Sequence, residues 1–374
     1  MREKCTFDYV KYERIVFLAD VHLGVRNASI EWSEIMKDYF DNFFCARLRQ
    51  LSKEKKTALV IAGDYFDNRK HIDISVLNMG YSLLTTLTSI CNVFLLVGNH
   101  DIYKKSDTSC ASVNPFQSMY GVEVVGDLSV MELANERSAL LIPWVGDSKE
   151  ESSILTEFER KCDIAVMHSE ISGLSYDNGL PITDGANVSG FRGQKIYSGH
   201  IHLRQTSKDG RVTYLGAPYQ LRRSDIGNDK GVFYVDFDGE DIKEYFILND
   251  YSPKFLRFTY EEIEKMDMEQ LSTNLKNNYV DILMKRDDII RLNIGNLIAN
   301  LEEYGPKKIE ILPMKETVED TKEETAFDGD ITLETAFITA VSKLEVTEEV
   351  VKRMNEMNVE YVTRAREELN IVEG

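Results

Sequence analysis

Five short apolar runs, Arg14 to Ala19, Thr57 to Ala62, Asn92 to Val97, Asp163 to Met167 and Gln194 to Tyr197, each break off into a segment rich in Gly, Asp, Asn or His. Short apolar runs bounded by such breakers read as buried strands. Amphipathic stretches near 31–52, 72–89 and 148–161 read as helices between them. This alternation restricts the first 250 residues to a layered α/β architecture. Asp209-Gly210 and Asp238-Gly239 each separate two β-prone runs, the strongest short-range hairpin signal.

After Tyr251-Ser252-Pro253 the pattern restarts as strand 254–260, helix 261–275, strand 279–284, helix 287–303 and strand 307–313. The expected organisation is a main domain over 1–250 and a small α/β domain over 251–314. Residues 315–330 are acidic and nearly free of large apolar groups, which predicts a linker. Beyond it, in 331–374, Leu333, Phe337, Val341 and Leu344 mark one amphipathic helix over 331–344. Val350, Met354, Met357, Tyr361 and Ala365 mark a second over 347–369.

Composition narrows the function classes. An apolar content of 43% is ample for a packed core, so disorder is excluded as the main state. No stretch approaches the length of a membrane span, and the N-terminus lacks the apolar run of a signal peptide. The cysteines Cys5, Cys45, Cys91, Cys110 and Cys162 form no CxxC pair. A soluble cytoplasmic protein with reduced thiols is expected. The net charge of -19, with acidity concentrated in the C-terminal third, excludes gripping nucleic acid by bulk charge. A polyanionic substrate has to be held locally. Basic residues do gather beside the apolar-run ends, at Arg26, Arg69, Lys70, Lys104, Lys105, Arg192, Lys195, Arg204, Arg222 and Arg223. Such placement focuses positive potential at one cleft, with Arg26, Arg69, Lys104, Lys105 and Arg222 as candidate contacts to a polyanion.

Five of the six histidines fall at the strand ends: Asp20-Val21-His22, Gly63-Asp64, Gly98-Asn99-His100-Asp101, His168 and Gly199-His200-Ile201-His202 compose the set of segments. In open α/β sheets the carboxyl ends of parallel strands share one edge, and ligands bind there. Nitrogen and oxygen donors without thiolate suit divalent first-row metals. The converging donors Asp20, His22, Asp64, Asn99, His100, His168, His200 and His202 exceed what one ion can use. Two ions about 3.5–4 Å apart absorb them and clamp the attacking and leaving oxygens of a phosphoryl displacement.

The series DxH, GD, GNHD, H and GHxH, in this order, resembles the signature of calcineurin-like metallophosphoesterases, over about residues 14 to 240. The resemblance implies a layered β-sandwich flanked by helices, with Asp20, His22, Asp64 and His202 on one metal. Asp64, Asn99, His168 and His200 hold the other. It further implies that His100 protonates the leaving oxygen and that Asp101 fixes its orientation. The segments Gly63-Asp64-Tyr65-Phe66-Asp67, Leu141-Ile142-Pro143-Trp144 and Gly216-Ala217-Pro218-Tyr219-Gln220 are similar to those of SbcD-type DNA double-strand-break nucleases, closest to the compact versions encoded by tailed phages.

That likeness implies a 3'-to-5' exonuclease and single-strand endonuclease using two divalent ions, Mn2+ or else Mg2+. It also implies a small capping domain, a host-cytoplasmic setting, and an SbcC-type ABC ATPase partner bound through 331–369. Homodimerisation follows from the same likeness, with Ile74, Leu77, Tyr81, Leu84 and Leu87 as the pairing face. Two rival readings stand beside it: a phosphomonoesterase or cyclic-nucleotide phosphodiesterase, and a DNA-end-binding scaffold subunit. The long stretch Ser169 to Gly190 is expected to contact substrate or to be disordered. Trp32 and Trp144 are expected to be core or loop anchors.

Overall fold

The computed structural model describes residues 10–104, 107–239 and 241–314, so the expected linker and the helices over 331–344 and 347–369 lie outside the described residues. The fold is mixed α/β. One six-stranded sheet runs in the order Asp241–Leu248, Gly231–Asp238, Arg14–Leu18, Thr57–Ile61, Asn92–Leu96 and Val122–Val125. The last four strands are parallel, and the Gly231–Asp238/Asp241–Leu248 hairpin closes the other side. The second sheet runs Gln205–Thr206, Val212–Tyr214, Lys195–Gly199, Ile164–His168, Ser138–Ile142 and Ser129–Glu132, with a parallel centre and antiparallel edges.

Period-2 alternation explains why the strands are apolar throughout. Ile15 and Phe17 point into a core shared with Leu141, Val166 and Tyr197 of the other sheet. Val16 and Leu18 point the opposite way, into a core with Trp32, Met36, Phe44, Leu48 and Leu84 from the covering helices. The outer face of the second sheet, through Ala165, Met167 and Ile196, packs on Leu155, Ile171 and Phe191. Two sheets face to face with helices and loops outside them form the expected layered sandwich.

Several elements differ from their sequence expectation. The stretch expected as one helix over 31–52 is Ile30–Asp38 and Cys45–Glu54, joined by a π-helical turn at Tyr39–Phe44. The helix of 72–89 is Ile74–Thr88, started by the Asp73 side chain on the Ser75 amide. Leu84 and Leu87 of this helix are buried in the core, so they are removed from the expected pairing face, whereas Ile74, Leu77 and Tyr81 are exposed. The Ile102–Lys104/Asp107–Ala111 hairpin and the strand Val122–Val125 had no counterpart in the periodicity.

The segment after residue 250 forms its own parallel sheet, Phe255–Thr259, Tyr279–Met284 and Lys308–Pro313, over a separate core of Ile263, Leu275, Val280 and Leu301. Each crossover contains two helices where one was expected. Asp267 caps Met268–Leu275 with a reciprocal Gln270 bond, and Asn293 caps Ile294–Glu302, so each polar residue restarts a helix. Phe255 and Tyr279 stack on Trp32, and Arg223 and Arg257 both bind Asp281. The cysteines Cys45, Cys91, Cys110 and Cys162 are free. Among the described residues no helix is long and apolar enough to cross a membrane.

Candidate metal centre

The strand ends converge on a cleft of about 480 Å³ lined by His22, Asp64, Asn99, His100, His200 and His202. Asp20 and His168 lie fully buried at its floor. The backbone is strained where it enters: Asp20, His22, Asp64 and His200 all have positive φ, at 53°, 50°, 54° and 86°. Such conformations persist in non-glycine residues only where surroundings enforce them, and they cluster at functional sites. Close approach is enforced by glycine. A Cβ on Gly63 would stand 2.2 Å from His168 Nδ1, and one on Gly98 would stand 2.2 Å from the Asp64 amide nitrogen.

Two donor groups result, beside a third cluster of His22, Asp67 and His100 that shares His22 with the first. His22 Nε2 lies 3.0 Å from His202 Nε2, with Asp20 beside them. Asn99 Oδ1 lies 2.8 Å from His168 Nε2 and 2.9 Å from His200 Nδ1. Asp64 Oδ2 stands between the groups, 3.7 Å from His22 Nε2 and 3.4 Å from His168 Nε2. Its other oxygen accepts the His100 backbone N–H at 2.8 Å. The seven sequence-expected ligands are thus together in one site.

These residues fit a pair of cations. Asp20 Oδ2 is fully buried without a partner, although buried polar atoms are nearly always satisfied. Burial raises the Asp20 pKa. Burial also opposes charge on His168, yet Asp64 and Asp20 outweigh it and raise this imidazole to about 9. The proton so held at Nε2, facing Asp64 and Asn99, is the one a bound cation would displace. Asp64 is held well below the usual carboxylate range: burial pushes it up, but His168, His22 and His100 together overcome that. Burial, followed by the charges of His22, Arg222 and Lys230, lowers His202 far enough to keep it neutral, the state in which imidazole ligates.

Supporting contacts fix the ring orientations. His168 Nδ1 donates to Ala62 O at 2.8 Å, and Glu170 Oε1 lies 3.3 Å from His200 Nε2, leaving Nδ1 of His200 toward Asn99. Asp67 lies against both neighbouring rings: its Oδ1 is 3.2 Å from His22 Nδ1, and its carbonyl accepts from His100 Nδ1 at 2.6 Å. This corrects the expected role of Asp101. The Asp101 carboxylate instead accepts N–H groups of Tyr65, Phe66 and Gly98, tying together the loops that carry Asp64 and Asn99. Burial and the nearby Asp64 push its pKa up to about 7. Asp67 and Glu170 carried no role in the sequence reading; the signals for them were position three after Asp64 and two after His168.

Of the expected basic contacts, Arg26 and Arg222 line the cleft, Arg69 and Lys104 are not among its lining residues, and Lys105 lies outside the described residues. Arg26 rests over Trp32 and Phe255 and donates to Leu221 O. Arg222 Nη2 donates to His202 Nδ1 at 2.7 Å. A neutral imidazole that accepts at Nδ1 carries its proton at Nε2, so Arg222 would have to leave for Nε2 to hold a cation. The guanidinium is half exposed and has Asp177 3.8 Å away. Four other basic residues are engaged structurally: Lys195 pairs with Glu244, Arg223 with Asp281 and Glu310, Arg192 holds the Phe158 carbonyl, and Arg204 covers Phe246. The 169–190 stretch is folded against the site through Glu170, Tyr176 and Asp177. Trp144 packs on His168 and His200 with centroids 6.0 and 5.1 Å away.

Comparison with known proteins gives three relatives. Exonuclease subunit 1 of Enterobacteria phage T4 is 25% identical over 324 residues, which is 82% of this chain and 91% of that protein. "Putative phosphoesterase 078R" of Invertebrate iridescent virus 3 is 26% identical over 55% of this chain and 57% of its own length, so the match spans little more than half of that protein. A protein of the same description, 244L of Invertebrate iridescent virus 6, is 24% identical over 62% of this chain and 79% of its own length. Residues 13–204, a little over half of the chain, match the family model described as calcineurin-like phosphoesterase. With both the strand-end geometry and this match in agreement, the chain belongs to the calcineurin-like phosphoesterase family of metal-dependent phosphoester hydrolases.

Proposed function

We propose that this protein is a two-metal DNA nuclease that hydrolyses phosphodiester bonds as the nuclease subunit of an SbcCD-like ATPase complex. The observation that carries it is the convergence of two donor groups bridged by Asp64, joined to similarity over 91% of a protein described as an exonuclease subunit. Asp20, His22, Asp64 and His202 would hold one ion, and Asp64, Asn99, His168 and His200 the other. Bound there, two divalent cations supply Lewis-acid stabilisation of a phosphoryl centre and a nucleophilic water at neutral pH. Mn2+ is favoured by the nitrogen-rich donor set, with Mg2+ the alternative.

The chain's own residues do the rest. His100 donates Nδ1–H to the Asp67 carbonyl, which leaves Nε2 as the ring atom that, in the imidazolium form, would give its proton to the departing 3'- or 5'-oxygen. Arg222, once released from His202, and Arg26 at the cleft wall neutralise non-bridging phosphate oxygens. His100→Ala is the decisive variant: incubated with linear duplex or circular single-stranded DNA and Mn2+, it should bind metal normally and lose cleavage by a factor of 100 or more, about the worth of a general acid. Unchanged cleavage rejects the acid role. Turnover of small phosphate monoesters with intact DNA favours the phosphomonoesterase reading instead. The exposed Ile74, Leu77 and Tyr81 are the proposed homodimer face, and 331–369 the proposed ATPase-binding segment.

A further inference from the structure

We infer that the buried Lys230–Asp225 pair is a positioning strut for His202 and for the loop that carries Arg222, which makes one of the two cation sites selectively dependent on it. This rests on the two-ion reading above. Lys230 and Asp225 are 4% and 0% exposed, and neither belongs to the converging ligand set. Lys230 Nζ donates to the His202 carbonyl at 2.6 Å and to Asp225 Oδ1 at 2.8 Å. Asp225 Oδ2 in turn accepts the backbone N–H groups of Leu221 and Arg222 at 2.8 and 3.0 Å, while the Asp225 carbonyl accepts from Gln220 Nε2 at 3.0 Å. Two neighbouring buried charges therefore join the end of the His200–His202 segment to the 220–225 loop. Arg222 then closes the circle on the ring of the same histidine.

A buried ion pair is weak evidence of stability, because desolvation offsets much of the attraction and a packed apolar pair is often as stable. The specific gain here is geometric. The second strand-end group has separate supports, namely Ala62 O on His168 and Glu170 on His200. His202 has none of these. Its ring contacts are His22 and the half-exposed Arg222, and its backbone carbonyl accepts from the Ala217 N–H at 3.2 Å and from Lys230 Nζ at 2.6 Å, so Lys230 supplies the side-chain tether that helps fix Nε2 opposite His22. Groups outside the ligand set commonly change metal affinity 10- to 100-fold.

The test compares the full chain with Lys230→Arg and with Asp225→Asn/Lys230→Met. The double variant leaves no unpaired buried charge. The arginine keeps the charge for Asp225 but cannot place a nitrogen where Nζ stands against His202 O. Mn2+ uptake is followed by equilibrium binding and by electron paramagnetic resonance. The wild type should take up two Mn2+ per chain and show a spin-coupled pair. Both variants should bind one Mn2+ with unchanged affinity and the other at least tenfold more weakly, converting the coupled signal to that of isolated Mn2+ at limiting metal. A folded variant of either kind that keeps two sites of wild-type affinity overturns the strut while leaving the two-ion reading intact. A wild-type chain with no coupled pair overturns that reading and the strut with it.

Discussion

The Asp101 carboxylate receives the Tyr65 N–H at 3.1 Å and the Gly98 N–H at 2.9 Å, so one buried side chain clamps the loop behind Asp64 to the loop before Asn99. A buried N–H donor left without its acceptor costs about 1–3 kcal/mol. Asp101→Ala should therefore lower unfolding stability in urea by about 3 kcal/mol or more, and weaken Mn2+ uptake at the same time. Loss of cleavage with stability and metal affinity unchanged would instead return Asp101 to a direct role beside His100.

Gly98→Ala tests the closeness of the two loops. Its Cβ would meet the Asp64 amide nitrogen at 2.2 Å and Oδ1 at 2.3 Å, both part of the buried residue proposed to bridge the two sites. The loops must separate, so the expected outcome is a folded protein with strongly reduced affinity for both cations. Isothermal titration with Mn2+ checks this, and two intact sites would mean that the loops yield freely.

Glu151 gives a pH dependence. It is 3% exposed, its Oε2 accepts from Ser169 Oγ, and burial raises its pKa from 4.5 to about 7. The native state holds the proton more tightly than the unfolded chain. Its contribution to stability is thus full below pH 4.5 and is lost as pH rises to about 7. At about 1.4 kcal/mol per unit the loss is roughly 3 kcal/mol at most. Urea unfolding at pH 5 and pH 8 should show a decline in the wild type that Glu151→Gln largely removes. Equal slopes in the two proteins would assign the pH effect elsewhere.

The exposed apolar face of the Ile74–Thr88 helix predicts self-association. Tyr81→Glu with Leu77→Lys should convert a sedimenting dimer to monomer at micromolar concentration without changing the melting temperature by more than a few degrees, since both side chains are on the surface. A wild type that is monomeric at that concentration removes the pairing proposal.

Truncation at about residue 320 should leave the metal-binding body folded, because the described cores all lie before residue 315. The truncated chain should no longer co-purify with a coiled-coil ATPase, and retained binding would contradict the assignment of 331–369.

The convergence of the candidate ligands was legible in the sequence because each ends or follows an apolar strand, and parallel strands deliver their carboxyl ends to one edge. His168, His200 and Asp64 needed only that rule and the residue types to be placed together. Local periodicity likewise determined the central strands, whose buried faces leave little room for polar residues. It failed between 102 and 125, where short strands pair through the Ile102–Ala111 hairpin and the Val122–Val125 edge, contacts that periodicity does not encode. Exposure along the Ile74–Thr88 helix was also undecidable from spacing, since Leu84 and Tyr81 are both apolar but face opposite environments.

What the tertiary structure alone decided is the supporting layer. Asp67, Glu170, Asp225 and Lys230 act through backbone carbonyls, ring tautomers and loop amides. Several of those contacts join residues distant in sequence: Lys230 and His202 are 28 apart, Glu170 and His200 30, and Asp67 and His100 33. A sequence states which groups can ligate; only the fold states which neighbours hold their lone pairs in place.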